Sequence, residues 1–309
     1  MEIYWDINQV KPKRDSVVTM GTFDGVHLGH QKLIQTIIDI GTERQLTSCL
    51  LTFEPHPQLV LKDLQQSQVL LTTMEEKIEL LAKTGLDRLV IANFTRGFSS
   101  IEPAEFVRNI LADQLGTKYL MIGHDHAFGR QRKGTYELLA KMSKTMNFDL
   151  AAFDAITINE RVVSSTRIRQ ALAQGHVHLA QDLLGRPYTI TGQVIPGDGR
   201  GKDLGFPTAN IRPFSKYKLI PKAGIYATRI KIRDRWHDSA TYIGVRPTFH
   251  LHDHVIEVHI LGFENEIYDQ EIVLEFDRYL RDDQEFSNSK ELIEQIKQDI
   301  VAAKELLNH

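Results

Sequence analysis

The chain has 309 residues, 42% of them hydrophobic and 25% charged, with a formal net charge of -3 and a single cysteine. That length is about twice a common domain size, so two ordinary folded domains are expected. The near balance of charge leaves no basic surplus for a nucleic-acid surface, the lone Cys49 excludes an internal disulfide, and no apolar run reaches membrane-spanning length.

The start of the chain, 1–10, lacks a basic region followed by an apolar core, so a cytoplasmic location without a membrane anchor is expected. Short apolar runs at 17–20, 49–53, 88–92, 119–122 and 150–153 then alternate with amphipathic segments of helical length at 29–44, 74–84, 103–115 and 135–145. Alternation of this kind predicts a parallel sheet with helices on both faces. Cys49 falls in the second run and reads as a buried strand residue in a reducing compartment.

The first run meets the first helix through Gly21-Thr22-Phe23-Asp24-Gly25-Val26-His27-Leu28-Gly29-His30. Glycines at 21, 25 and 29 let the backbone approach a ligand closely, and a helix start directs unpaired N–H groups and a positive dipole end at whatever occupies the turn. An anion is the expected occupant. His27 and His30, three residues apart, could both donate hydrogen bonds to it as charge builds up in a transition state. Isolated histidine pairs also occur in ordinary polar loops. Here Leu33, Ile34, Ile37 and Ile38 form the packing stripe of a helix laid on a sheet, which puts the histidines at its ligand-facing end. Neither an ATPase phosphate loop nor a dinucleotide fingerprint is present in this turn.

Farther along, His124-Asp125-His126 reads either as a polar loop or as metal ligands without a closing partner. Ser164, Ser165 and Thr166 are good helix caps with Arg167 and Arg169 in the first turn, which suits either a second anion site or a plainly capped helix. After Leu184-Gly185-Arg186-Pro187 the pattern changes to half-buried alternation at 229–233, 255–260 and 271–276, the mark of a small antiparallel barrel. One clear helix follows Asn288, with Glu291 placed for a capping box and Leu292, Ile293, Ile296 and Ile300 on one face. The barrel half opens with Gly197, Gly199, Gly201 and Gly205 around Lys202, followed by Pro207-Thr208-Ala209-Asn210, which composition alone leaves as a phosphate cradle or a flexible hairpin loop. Periodicity makes Glu257 merely polar on its strand, and His250, His252, His254 and His259 read as a solvated loop or a metal cluster.

Taken together, Gly21 to Gln31, Phe53-Glu54-Pro55-His56-Pro57, Gly123 to Gly129 and Ser164 to Arg169 occur in the order found in the adenylyltransferase half of the bacterial bifunctional riboflavin kinases/FAD synthetases. The chain resembles that family over nearly its whole length. Pro207 to Asn210, Gly224-Ile225-Tyr226 and Ile243 to Phe249 resemble its riboflavin kinase half. One departure is His126-Ala127, where the family more often has an aromatic and then a basic residue.

The resemblance implies an α/β nucleotidyltransferase domain over 1–184 and a six-stranded riboflavin kinase β-barrel with a terminal helix over 185–309. It implies ATP and Mg²⁺ as cofactors, and riboflavin and FMN as small-molecule partners, with no nucleic acid or membrane and a monomer or weak homo-oligomer. In the first domain, Gly21, Thr22, Phe23, Asp24, Gly29, Asp125, Ser164, Ser165, Thr166, Arg167 and Arg169 would hold ATP beside catalytic His27 and His30. Phe53, Pro55 and His56 would meet the flavin. In the second, Gly197, Gly199, Gly201, Lys202, Gly205, Pro207, Thr208 and Asn210 would hold ATP, with Thr208 and Asn210 on the metal and Glu257 as base. Arg281 and Phe286 would close over the flavin. Two other readings stay open at this stage: transfer to a different phosphorylated acceptor, and a flavin-binding regulator without turnover.

Overall fold

The computed structural model describes the whole chain except 11–13, 62–68, 124–127, 131–132, 198, 247–252 and 308–309. Asp125 with its flanking histidines, and His250 and His252, therefore lie outside the described residues. The chain forms two compact units, one of Met1–Gln65 with Met74–Val163, the other of Gln66–Thr73 with Ser164–His309.

The first unit carries a six-stranded parallel sheet: β1 (Glu2–Tyr4), β2 (Ser16–Met20), β3 (Thr47–Glu54), β4 (Arg88–Asn93), β5 (Thr117–Gly123) and β6 (Asp149–Phe153), in the spatial order β1-β4-β3-β2-β5-β6. Five of these strands are the apolar runs of the sequence. The sixth, β1, is only three residues long and largely exposed at the sheet edge, so it carries no run to recognise. Every residue of β2 is buried, as covering of a parallel sheet on both faces requires. A short hairpin, β7 (Thr157–Ile158) with β8 (Arg161–Val162), ends the unit.

Helix α1 (Leu28–Arg44) buries Leu33, Ile34 and Ile37 against the sheet, each such side chain contributing about 1.5–3 kcal/mol of transfer free energy. It comes close because Gly41 has no side chain: a Cβ there would meet the Leu46 carbonyl at 2.9 Å and Val17 at 3.3 Å. The remaining helices of the unit are α2 (Pro57–Leu61), α3 (Met74–Ala82), α4 (Arg96–Ser99), α5 (Pro103–Glu105) and α6 (Tyr136–Met146). The expected helix over 103–115 departs from a regular α-helix. After α5 it continues as a wide-turn π-helix, Phe106–Gln114, whose exit shows a Leu115 N–H to Ile110 carbonyl bond five residues back. In such a winding, residues four and five apart align, so Phe106, Val107, Ile110 and Leu111 are all buried.

The second unit begins with α7 (Ser165–Ala173) and α8 (Val177–Leu184), then a closed antiparallel barrel of β9 (Tyr188–Ile195), β10 (Ala209–Pro213), β11 (Gly224–Ile232), β12 (Arg235–Arg246), β13 (Asp253–Ile260) and β14 (Glu271–Arg281). The order around it is β10-β13-β12-β11-β14-β9. Strict alternation of buried and half-buried residues along β9 shows one face filling the barrel. One short helix, α9 (Arg200–Asp203), sits in the glycine-rich loop, and α10 (Ser289–Leu307) packs Ala303 and Leu307 on Ala227, Ala240 and Leu280 of the barrel wall. Its start is capped as expected: the Glu291 N–H donates to the Asn288 side chain at 3.0 Å, while the Glu291 carboxylate accepts from the Ser287 N–H.

Candidate active sites

In the first unit the turn Gly21 to His27 leaves the carboxyl end of β2. The next strand along the chain, β3, lies on one side of β2, and β5 lies on the other, so the turn occupies the point where strand order reverses. Open α/β sheets bind ligands there. Phe23 (φ 47°), Gly25 (φ 83°) and Val26 (φ 39°) all have left-handed backbones. For a bulky aromatic and a β-branched residue this is strain that the surroundings must enforce. Three hydrogen bonds do so. The Thr22 carbonyl accepts from Lys77 Nζ at 2.7 Å and Thr52 Oγ1 at 3.2 Å, and the Val26 carbonyl accepts from Gln31 Nε2 at 2.8 Å.

His27 is the N-cap of α1, its Nδ1 accepting from the His30 N–H at 3.3 Å. Because Nδ1 accepts, the proton of the neutral ring must sit on Nε2, where it is available as a donor. The two imidazoles stack 3.6 Å apart at 16°, and Phe23 backs His30 at 4.9 Å. Gly29 is explained by the same stack: a Cβ there would lie 3.2 Å from the His27 ring. The Nδ1 atom of His30 is buried with no hydrogen-bond partner, which leaves Nε2 to meet a ligand. Burial, then the His27 and Lys77 charges, hold the His30 imidazole well below its ordinary range, so the ring is neutral at physiological pH. Phe23 and Asp24, expected among the ATP contacts, are 2% and 1% exposed, so their side chains shape the turn from within.

Phe53 is the penultimate residue of β3 and stands in an aromatic cluster with Phe94 (5.6 Å) and Phe98 (5.9 Å), all three half-buried. Beside it the Glu54–Pro55 peptide is cis, Pro55 is exposed, and His56 is buried with Nδ1 accepting from the Gln58 N–H.

In the second unit Ser164 caps α7, its Oγ accepting from the Arg167 N–H at 3.3 Å, with Ser165 and Thr166 following in the first turn. Arg169 donates from Nε to the Val69 carbonyl at 2.7 Å, so part of its guanidinium anchors the segment 69–73.

The barrel brings Thr208, Asn210 and Glu257 together. Asn210 on β10 lies opposite Glu257 on β13, and Thr208 Oγ1 reaches Glu257 Oε2 at 3.5 Å. The glycine-rich loop folds over them. A Cβ on Gly197 would approach Asn210 Cγ to 2.6 Å, and one on Gly201 would meet the Phe206 carbonyl at 2.5 Å and Thr208 Oγ1 at 3.1 Å. Gly199 (φ 75°) and Gly205 (φ 84°) supply the left-handed bends. A partly open cavity of about 300 Å³ is lined by Gly197, Gly199, Lys202, Pro207, Thr208 and Asn210, by the apolar Val258, Ile260, Phe263 and Ile267, and by Glu264, Asn265, Glu266 and Tyr268. The arrangement offers oxygen ligands, an ammonium and apolar surface within one cavity.

Sequence reasoning did not find three residues that support these centres. Lys77 reads as a solvent-facing helix lysine yet is 4% exposed. His259 looks like part of a histidine cluster, but its Nδ1 bonds the Pro207 carbonyl at 2.9 Å and steadies the start of Pro-Thr-Ala-Asn. Tyr242 lies opposite Glu257 on β12 and donates to Asp283 at 2.8 Å, while burial and then that carboxylate push its hydroxyl up to about 12. Arg281, expected at the flavin, forms a two-pronged pair with the buried Asp299 of α10 at 2.8 and 2.7 Å, which fixes the stretch that carries half-buried Phe286.

A parallel sheet with a His-x-Gly-His turn at its switch point defines a nucleotidyltransferase unit, and the six-stranded barrel with Pro-Thr-Ala-Asn defines a flavokinase unit. The family models agree: FAD synthetase matches residues 9–167 and riboflavin kinase residues 184–307. The bifunctional riboflavin kinase/FMN adenylyltransferase of Listeria monocytogenes is 38% identical over 92% of this chain and 90% of its own length, and that of Escherichia coli K12 34% over 95% and 93%. This chain belongs to the bifunctional riboflavin kinase/FMN adenylyltransferase family. A crystal structure from Streptococcus pneumoniae, titled a macrolide-efflux protein, has the same fold over 98% of both chains, with a TM-score of 0.88 and 27% identity. Among the described residues of this chain no helix is long and apolar enough to cross a membrane.

Proposed function

We propose the following division of labour for this bifunctional enzyme: residues 185–309 phosphorylate riboflavin to FMN, and residues 1–184 transfer the adenylyl group of ATP to FMN. The observation that carries the kinase half is the convergence of Glu257 on Thr208 and Asn210, which line a glycine-lined cavity. Glu257 takes the proton from the terminal ribityl hydroxyl as that oxygen attacks the γ-phosphorus of ATP, whose bond to the bridging oxygen breaks and releases ADP. Lys202 and the backbone N–H groups of the glycine loop hold the phosphates, while Val258, Ile260, Phe263 and Ile267 receive the base. Thr208, Asn210 and Glu257 are all oxygen donors, the set a hard cation prefers, so Thr208 and Asn210 are assigned to Mg²⁺, which when bound neutralises phosphate charge. Phe286, on the stretch secured by Arg281 and Asp299, offers its ring to the flavin.

In the adenylyl step the FMN phosphate attacks the α-phosphorus and pyrophosphate leaves. The attacking group is already ionised, so no general base is needed. His27 and His30 donate from Nε2 to the developing oxyanion charge at the start of α1. The aromatic cluster around Phe53 supplies a flat surface for the isoalloxazine ring.

Riboflavin, ATP and Mg²⁺ are incubated with the protein and the flavins separated by chromatography over time. FMN should appear first and then convert to FAD. His30→Ala should cost roughly 10²- to 10³-fold in FAD formation and leave FMN formation intact, and Glu257→Gln should do the reverse. Equal loss of both activities in either folded variant refutes the two-site reading.

A further inference from the structure

Lys77 holds the nucleotide turn, yet neither the motifs nor the mechanism uses it. It projects from the first turns of α3, is 4% exposed, and its Nζ donates to the Thr22 carbonyl at 2.7 Å. That carbonyl belongs to the peptide that leads directly into Phe23, the first left-handed residue of the turn. Burying an ammonium is costly, and here burial lowers the Lys77 ammonium below its usual range while the facing carboxylates of Asp24 and Glu54 oppose that shift. A leucine or methionine would fill the same space at no such cost. The placement of a buried cation against a strained, anion-binding turn is therefore informative.

We propose that Lys77 is a positioning residue of the adenylyl-transfer site: its ammonium clamps the Thr22 carbonyl, holds Phe23 to Val26 in the shape that receives the phosphates, and adds positive charge beside His30. This rests on the assignment of His27 and His30 to that site. The clamp has two arms, because Thr52 Oγ1 donates to the same carbonyl from β3, but only the lysine arm brings charge. Among the described residues, the charges acting on His30 are those of His27 on its own helix and Lys77 across the turn, and those acting on Lys77 are Asp24 in the turn and Glu54 at the end of β3. With the lysine charge present, His30 resists protonation and stays a neutral Nε2–H donor. Loss of that charge makes His30 easier to protonate.

The test compares Lys77→Met, which keeps the volume and removes charge and donor, with Lys77→Arg, which keeps the charge, and Thr52→Val, which removes the neutral arm. Full-length protein is used, and FAD formation from FMN and ATP is measured across pH 5 to 9, with FMN formation from riboflavin and the thermal unfolding midpoint as controls. Misplacement of a phosphate-binding turn by about 1 Å costs on the order of 10²-fold. Lys77→Met should therefore lose roughly that factor in kcat for FAD formation, more than it changes KM for ATP, and the acid limb of its profile should move to higher pH. Lys77→Arg should restore the acid limb and at least tenfold of the rate. Thr52→Val should show a smaller loss with the limb unmoved. The inference is overturned if Lys77→Met stays within threefold of the parent, or if its activity falls only in proportion to folded protein with an unchanged pH profile. Should Lys77→Met not fold, Lys77→Arg and Thr52→Val decide: a shifted acid limb in Thr52→Val, or none retained in Lys77→Arg, rejects the charge role. His27→Ala run in parallel separates the two levels. If it leaves FAD formation intact, the site assignment fails; if it abolishes FAD formation while Lys77→Met is silent, only the role of Lys77 fails.

Discussion

Gly197→Ala isolates the kinase site without touching a chemical group. The backbone at 197 is not left-handed, so alanine is acceptable there locally, and the whole effect comes from the new Cβ. Its nearest clash would be with Asn210 Nδ2, with Asn210 Cγ at 2.6 Å, whereas ordinary contact begins near 3.4 Å, so the amide must retreat, or the loop lift, by more than about 0.8 Å. Asn210 sits opposite Glu257 across β10 and β13 and has no slack on that side. A displacement of that order at a phosphate-positioning group costs roughly 10²-fold, or about 2.7 kcal/mol of transition-state stabilisation. The assay is initial-rate FMN formation from riboflavin, with FAD formation from supplied FMN measured on the same preparation to show that the protein is folded. Gly199→Ala is the companion variant. A Cβ there meets nothing within 4 Å, and only its φ of 75° opposes the change, for a cost of about 1 kcal/mol and a loss nearer fivefold. FMN formation by Gly197→Ala within twofold of the parent would refute the reasoning, because it would mean that Asn210 does not need its present position.

Removal of the Asp299 carboxylate by Asp299→Ala strands Arg281 and should destabilise the barrel by about 3 kcal/mol, read as a fall of roughly 10 °C in Tm, with adenylyl transfer from supplied FMN retained below the transition. Cys49 is fully buried and burial pushes its thiol up to about 12. Iodoacetamide at pH 8 should leave it unmodified in native protein and alkylate it in denaturant. Since the folded-state value is raised, the stabilisation from the protonated thiol is complete below the ordinary thiol range and declines as pH climbs toward about 12, so Cys49→Ala should flatten the alkaline loss of stability. A Gly29→Ala variant, whose Cβ would press on the His27 ring at 3.2 Å, should lower FAD formation roughly three- to tenfold with FMN formation unchanged, as expected when a ring must give by only a few tenths of an ångström.

The periodicity of the chain determined most of the architecture. Buried apolar runs such as 49–53 could only be covered strands, and the alternation at 255–260 could only be a half-buried one, because those patterns follow from two-sided and one-sided burial. Edge strand β1 and the wide-turn stretch Phe106–Gln114 were not legible. The first is too short and exposed to carry a pattern, and the second keeps a helical pattern while changing its winding. At the sites, local motifs located His27, His30, Thr208 and Asn210, since a glycine turn or a capped helix is written within ten residues. What required the fold was every relation across strands. Glu257 meets Thr208 only through the β10–β13 register, Arg281 is drawn to Asp299 only once α10 docks, and Lys77 reaches Thr22 only when α3 lies beside the turn. Sequence spacing records neighbours along the chain, whereas a buried cation and its carbonyl, 55 residues apart, are made neighbours by packing alone.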